Sequence, residues 1–140
     1  MKKKINFLKK HEDFYGNVTT GAGTRVSHKN FFSYSKSSIN QYKKSLKDDL
    51  KRAKIKLKEN YFIFDVGTGR QALAFAQMSN GIIDHFDLSK IHVTKTLNYK
   101  KKYKIKNLNS RCVNFDNNVK LKINHYDLIY LQGIIQHFKN

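Results

Sequence analysis

The segment from Phe64 to Arg70 joins an apolar run to a predicted helix through two glycines, and it is well suited to bind a ligand. Glycine lets the backbone approach a ligand closely and adopt φ values that other residues avoid. The N-terminus of the following helix presents free N–H groups and a partial positive charge, so a carboxylate or phosphate can bind there. Gly67, Thr68 and Gly69 are therefore predicted to contact a ligand.

Two carboxylates accompany these glycines. Asp65 stands two residues before Gly67, and Asp87 lies 22 residues after Asp65, at the end of the next predicted strand. A carboxylate at the end of that second strand can accept hydrogen bonds from both hydroxyls of a ribose. Together, the glycines and carboxylates predict a nucleoside-containing cofactor at the carboxyl ends of the strands.

The glycines alone leave two cofactors open, because Gly67 to Ala72 also satisfies the dinucleotide pattern G-x-G-x-x-G/A. Dinucleotide-binding strands usually carry an apolar residue where Asp65 stands. A carboxylate there would repel a pyrophosphate, but it suits the ammonium group of an amino-acid moiety. Asp65 therefore favours a nucleoside that carries an amino acid, and NAD bound to an oxidoreductase domain stays the alternative.

Hydrophobic periodicity predicts the elements that must position these residues. Apolar residues recur every three to four positions between Ser35 and Lys58, which predicts an amphipathic helix with lysines facing solvent. Alternating strands and helices imply an α/β fold with a Rossmann-like parallel sheet and right-handed crossovers. The predicted strands are 61–66, 82–86, 111–115 and 126–131, and the later helices are 70–79 and 90–102.

Three segments, in order, resemble the motifs of class I S-adenosylmethionine-dependent methyltransferases. Asp65-Val66-Gly67-Thr68-Gly69 resembles their motif I, and Phe86-Asp87-Leu88-Ser89 is similar to the acidic end of their second strand. Tyr126 to His137 is similar to their fourth strand and the turn after it. The resemblance covers about residues 61–140 and departs from the pattern at Gln71, where many members have a third glycine. It implies the first four strands of a seven-stranded sheet of order 3-2-1-4-5-7-6.

The resemblance also implies roles for residues around the glycines. Gly67 and Gly69 would let the methionine end of S-adenosylmethionine approach the backbone. Asp65 would interact with the amino group of the cofactor, directly or through water. Asp87 would bind the ribose hydroxyls, and Leu88 would pack on the adenine.

Later positions complete the implied site. Asp116 would meet the adenine amino group, although an Asp in an Asn-rich turn also caps its own backbone. Gln132 and Gly133 would line the sulfonium and the mouth of the substrate pocket. His137 is a candidate general base, with a structural role as its alternative. No catalytic residue is assigned, because methyl transfer depends mainly on positioning and desolvation.

The chain divides into two predicted parts. Residues 1–59 are expected to form an N-terminal arm and helix that cap the substrate, and residues 60–140 an incomplete cofactor-binding core. Enzymes that methylate amino groups of nucleic-acid bases typically show a D/N-P-P-Y/F motif after the fourth strand, whereas this chain contains no proline. The resemblance therefore favours in-line methyl transfer to a small molecule. A missing C-terminal half or partner chain is expected, and activity of the fragment alone is not assumed.

Composition bounds the remaining possibilities. The net charge of +18 allows a nucleic-acid partner or a nucleic-acid methyltransferase, because lysines neutralise phosphates. Lys far outnumbers Arg, which favours a compositional bias instead. Cys112, the single cysteine, is predicted to be a core residue, and the six histidines lack the spacing of metal ligands. Neither a signal peptide nor a membrane span is expected, and a single cysteine fits a reducing, cytoplasmic setting, which is the predicted location.

Overall fold

The computed structural model describes residues 33–115, 120–121 and 124–132. Its strands form one parallel sheet in the order β3-β2-β1-β4, which confirms the predicted fold class and the implied order of the first four strands. The chain crosses to one side of β1 to form β2 and β3 and returns to its other side for β4, so a topological switch point lies between β1 and β4. The elements are α1 (Lys36–Arg52), β1 (Ile63–Val66), α2 (Arg70–Met78), β2 (Ile83–Asp87), α3 (Lys90–Lys102), β3 (Leu108–Cys112) and β4 (Leu128–Leu131).

Helix α1 begins at a side-chain cap and ends earlier than the periodicity predicts. The Ser35 hydroxyl accepts a hydrogen bond from the Ser38 N–H at 3.1 Å, as expected of an N-cap serine. At the other end, Lys54 adopts a left-handed φ of 55°, and the Ile55 N–H donates to the Leu50 carbonyl at 2.9 Å. This closing bond terminates the helix. The predicted continuation to residue 58 is therefore wrong.

One face of the sheet is covered by helices and carries two rows of side chains. The apolar row consists of residues in register on neighbouring strands: Leu108, Ile83, Ile63 and Leu128. It packs with Leu73 and Phe75 of α2, both fully buried. Two positions further along the strands lies the polar row, again in register: Ser110, His85, Asp65 and Tyr130. The polar row is thus the layer of the sheet next to the strand ends.

The opposite face of the sheet carries aromatic side chains. The Phe64 ring lies 5.1 Å from the Phe86 ring and 5.1 Å from the Tyr126 ring, measured between centroids. Tyr126 also donates a hydrogen bond from its hydroxyl to Asp84 at 2.9 Å. Near this cluster Ile129 is 61% exposed.

Within the described ranges, no helix is long and apolar enough to cross a membrane.

The third strand differs from its prediction. Strand β3 covers Leu108–Cys112 rather than 111–115, because Leu108 completes the apolar row and the Ile83 N–H donates to the Asn107 carbonyl at 2.9 Å. Cys112 is exposed, so its predicted place in the core is wrong. It ends an edge strand of the described sheet, and its thiol lies 3.3 Å from the Leu88 carbonyl. Strands β1 and β4 each begin two residues later than predicted.

A substitution at Gly81 tests the packing just before the start of β2. A Cβ atom built there would lie 1.9 Å from the Tyr61 carbonyl oxygen, which is backbone and cannot rotate away. We expect Gly81→Ala to lower the free energy of unfolding by about 1–3 kcal/mol through overpacking. The matched control is Asn80→Ala, at an exposed neighbour, which should change it by less than about 0.5 kcal/mol. Urea denaturation measures both, and equal stabilities would contradict the packing described.

Candidate functional site

The loop between β1 and α2 is shaped by two glycines. Gly67 has a φ of 148° and Gly69 a φ of 86°, both in the region that favours glycine. The Gly67 N–H donates to the Phe86 carbonyl at 3.1 Å, which ties the loop to β2. A Cβ atom at Gly69 would lie 2.0 Å from the Thr96 hydroxyl oxygen. The loop can therefore run this close to α3 only without a side chain at Gly69.

Thr68, between the glycines, is held by bonds within the protein. Its carbonyl accepts hydrogen bonds from the Tyr34 hydroxyl and, at 3.4 Å, from the Thr96 hydroxyl. Its own hydroxyl accepts from Arg70 Nε at 3.0 Å. These bonds indicate that Thr68 shapes the loop, so its predicted contact with a cofactor stays a prediction.

Tyr34 connects the segment before α1 to the loop. The Arg70 guanidinium lies 5.7 Å from the centre of the Tyr34 ring and 5.4 Å from that of Tyr42, within the range of cation–π attraction. Burial raises the pKa of Tyr34 above its usual value, against the opposing effect of Arg70. Residues 1–32 lie outside the described residues, so the predicted cap and the division of the chain at residue 59 stay predictions.

Asp65 is the least usual carboxyl group of the site. It is 1% exposed, and its Oδ2 has no hydrogen-bond partner within the part of the chain that the structure describes. Burial raises its pKa to about 8, with a further increase from the charge of Asp87 and an opposing decrease from the Ala72 backbone N–H. Asp65 is therefore mostly protonated at neutral pH in the protein without a ligand.

Asp87, at the end of β2, is positioned by two groups of its own chain. Its Oδ1 accepts from the Ser89 N–H at 2.7 Å, and its Oδ2 lies 2.8 Å from His92 Nδ1. Since a carboxylate oxygen has two lone pairs, each oxygen keeps acceptor capacity for a ligand hydroxyl. Sequence reasoning missed His92. Its position in the first turn after the N-cap Ser89, five residues from Asp87, is a signal that could have revealed it.

The remaining predicted residues are distributed as follows. Leu88 is partly exposed at the end of β2. Gln132 follows β4, and its Oε1 accepts a hydrogen bond from Gln71 Nε2 at 2.9 Å. Gln71, which stands where many methyltransferases have a third glycine, therefore connects α2 to the end of β4. Asp116 and the 133–140 segment, which includes Gly133 and His137, lie outside the described residues. No group of three His, Cys, Asp or Glu side chains that could hold a metal occurs in the ranges described.

The structure thus brings six of the predicted residues to adjacent strand ends: Asp65, Gly67, Thr68, Gly69, Asp87 and Leu88. A buried acid, a loop with left-handed glycines and a second acid with free acceptor capacity lie side by side. Chemically, this arrangement suits a ligand that combines a cationic group with a pair of hydroxyls.

Solved structures with similar folds exist, although no protein-family model and no curated protein matches the chain. Geranyl diphosphate C-methyltransferase from Streptomyces coelicolor, in complex with S-adenosyl-L-homocysteine, gives a TM-score of 0.61 at 8% identity, over 89% of this chain and 53% of that one. Magnesium protoporphyrin IX methyltransferase from Synechocystis, with bound SAH, gives a TM-score of 0.56 at 13% identity, over 94% of this chain and 57% of that one. The [4+2]-cyclase SpnF gives a TM-score of 0.51 at 19% identity, over 69% of this chain and 34% of that one.

These likenesses establish the fold. Over the described residues, the chain has the Rossmann-like fold of class I methyltransferases, as the motifs implied. The chain spans between a third and three fifths of the length of the three matched proteins. Since one of them is described as a cyclase, the fold alone does not fix the reaction.

Asp65 makes the stability of the fold depend on pH. With a folded pKa of about 8 and an unfolded one near 3.8, the folded state holds one more proton between these values. The contribution of this proton to the free energy of unfolding is fully present below about pH 4. It decreases as pH rises and is lost once pH passes about 8. We expect the stability of Asp65→Asn, relative to the wild type, to rise by about 1.4 kcal/mol per pH unit between pH 5 and 7.

Urea denaturation at several pH values measures this difference. The control is Asp48→Asn, at an exposed position of α1, which should show no such trend. A difference between Asp65→Asn and wild type that is independent of pH would contradict the protonation assigned to Asp65.

Proposed function

We propose that the loop and the two acids bind S-adenosylmethionine and that the protein takes part in methyl transfer to a small molecule. The observation that carries this proposal is Asp65, a buried carboxyl with one unpartnered oxygen at the foot of a glycine loop. A neutral ligand group would leave that oxygen without a strong partner. A ligand ammonium would instead supply a donor and a compensating charge.

The cofactor's amino group is therefore assigned to the Asp65 side of the loop. A cation close to Asp65 favours the ionised carboxyl, so binding below about pH 8 is expected to release a proton from Asp65. Gly67 and Gly69 would let the methionine end of the cofactor approach the loop backbone. The charge of Asp87 raises the pKa of Asp65, so the two carboxyl groups lie close together. A single ligand can therefore contact both.

Asp87 is assigned to the ribose and Leu88 to the adenine. His92 and the Ser89 N–H hold the Asp87 carboxylate from the protein side, which leaves lone pairs for two ligand hydroxyls. Leu88 is partly exposed beside it and offers an apolar surface. The adenine contact of Asp116 and the substrate-side contact of Gln132 are part of the same proposal.

The reaction requires mainly that the chain hold its reactants in line. S-adenosylmethionine supplies a methyl group on a positively charged sulfur, which is already activated for displacement. The residues of the loop fix the position of the cofactor, and orientation of this kind provides most of the acceleration. The role of His137 as a base stays a prediction.

A small-molecule acceptor is favoured by two observations. The chain contains no proline, so it lacks the D/N-P-P-Y/F motif of enzymes that methylate amino groups of nucleic-acid bases. Matched structures are described as enzymes acting on geranyl diphosphate and magnesium protoporphyrin IX. A nucleic-acid acceptor stays the alternative because of the charge of +18.

NAD fits the same site less well. Asp87 could accept from a ribose hydroxyl of either cofactor, so the difference lies at Asp65. A pyrophosphate at the glycine loop would oppose ionisation of Asp65, which could then donate one hydrogen bond but would gain no compensating cation. An ammonium group supplies both donors and a positive charge, which supports the cofactor that carries an amino acid.

Calorimetric titration of the 140-residue chain with S-adenosylhomocysteine tests the proposal. We expect binding by the wild type, and binding about 10-fold weaker or more for Asp87→Asn, because that variant loses a charged acceptor for the ribose hydroxyls. Gly69→Ala should bind weakly as well, since its Cβ atom would displace the loop. The control is Asp48→Asn, an exposed carboxylate of α1 that should leave binding unchanged.

Titration with NAD provides the comparison between cofactors. Tight binding of NAD with no binding of S-adenosylhomocysteine would overturn the proposal in favour of the dinucleotide. Binding of neither ligand would reject the site as a cofactor site of this chain.

A further inference from the structure

His85 is a buried titratable side chain that the proposed function does not use. It lies in the middle of β2 with no exposed surface, in register with Asp65 on one side and Ser110 on the other. Its ring also lies beneath the loop, since a Cβ atom at Gly69 would be 3.1 Å from its Cε1. His85 therefore occupies the point where the polar row meets the loop.

Both ring nitrogens of His85 have short polar contacts. Nε2 lies 2.6 Å from the Gly67 carbonyl oxygen, and Nδ1 lies 2.7 Å from the Ser110 hydroxyl oxygen. A carbonyl can only accept, so Nε2 must carry the proton and donate to Gly67. In the neutral ring, Nδ1 is then an acceptor, and the Ser110 hydroxyl donates to it.

The environment favours this neutral form. Burial lowers the pKa of His85, with opposing increases from the Gly67 carbonyl and the charge of Asp87. A neutral ring with both nitrogens bonded has one tautomer and one orientation. The bond to the Gly67 carbonyl thereby fixes the Gly67–Thr68 peptide, which lies inside the loop directly after β1.

We propose that His85, oriented by Ser110, is a positioning residue that sets the Gly67 peptide in the geometry needed to bind the ligand. The inference rests on the proposed function, because the ligand is the cofactor assigned there. In this role His85 acts through its contact with the loop and not by contact with the ligand. Gly67 has a φ of 148°, and a glycine peptide without a fixed partner has many conformations to lose on binding.

Three variants of the 140-residue chain test this role in calorimetric titrations with S-adenosylhomocysteine. His85→Leu fills the space but lacks a donor, and we expect about 10-fold weaker binding or more. His85→Gln carries an amide nitrogen at a similar reach and can still donate to Gly67, so it should bind within about 3-fold of wild type. Ser110→Ala removes the group that orients the ring and should weaken binding to an intermediate degree.

A purely structural role predicts another pattern. In that case His85→Gln would weaken binding as much as His85→Leu, and this result would overturn the inference. Equal binding by wild type and His85→Leu would also overturn it while leaving the cofactor proposal intact. Absence of binding by the wild type would instead contradict the proposed cofactor itself.

A spectroscopic measurement is independent of the variants and of any ligand. Long-range proton–nitrogen correlation NMR of the free protein distinguishes the two histidine tautomers. We expect His85 at pH 7 to carry its proton on Nε2 and none on Nδ1. A proton on Nδ1 with a bare Nε2 would exclude donation to the Gly67 carbonyl and would overturn the inference.

Discussion

The burial of ionisable side chains beside a glycine loop is the constraint on which the rest of the site depends. Asp65 and His85 are adjacent in the polar row, both have essentially no exposed surface, and burial favours the neutral form of each. Charged forms would require a partner, since desolvation of an unpaired charge is costly. His85 has its partners within the sheet, whereas Asp65 keeps one unpartnered oxygen, so Asp65 is where a cationic ligand gains most.

The apolar row allows this arrangement. Its side chains pack against α2 and fix the register of the four strands. The residues two positions later on each strand then lie on the same face and form the next row. On β1 and β2 those residues are Asp65 and His85. Strand β1 ends one residue beyond Asp65, where the loop begins, and β2 ends at Asp87. Two side chains hold the loop: His85 at Gly67 and Tyr34 at Thr68.

Much of the fold could be predicted from sequence because its signals are local. The glycines, the apolar run before them and the N-cap Ser89 each act within a few residues. The third strand was misplaced because Asn109 and Ser110 are polar, and only pairing with β2 identifies them as strand residues. Cys112 was misplaced for a different reason: its exposure depends on β3 being an edge strand of the described sheet, which the local sequence does not reveal.

The residues of the candidate site also fall into two groups, those that the sequence reveals and those that it does not. The positions of Asp65 and Asp87 follow from strand ends, which a sequence reveals. The contacts of His85 and Tyr34 join residues far apart in the chain, and their partners become visible only when the chain is folded. His92 lies only five residues from Asp87 and leaves a local signal, but like His85 it stands in no motif.

The protonation of Asp65 is the most direct test of the account. Carboxyl carbon NMR can follow its titration in the free protein and again with saturating S-adenosylhomocysteine. We expect a titration midpoint near pH 8 in the free protein and a clear decrease when the ligand's ammonium group binds. A midpoint near 4 in the free protein, unchanged by the ligand, would contradict the assignment, because Asp65 would then be an ordinary carboxylate without a role in binding.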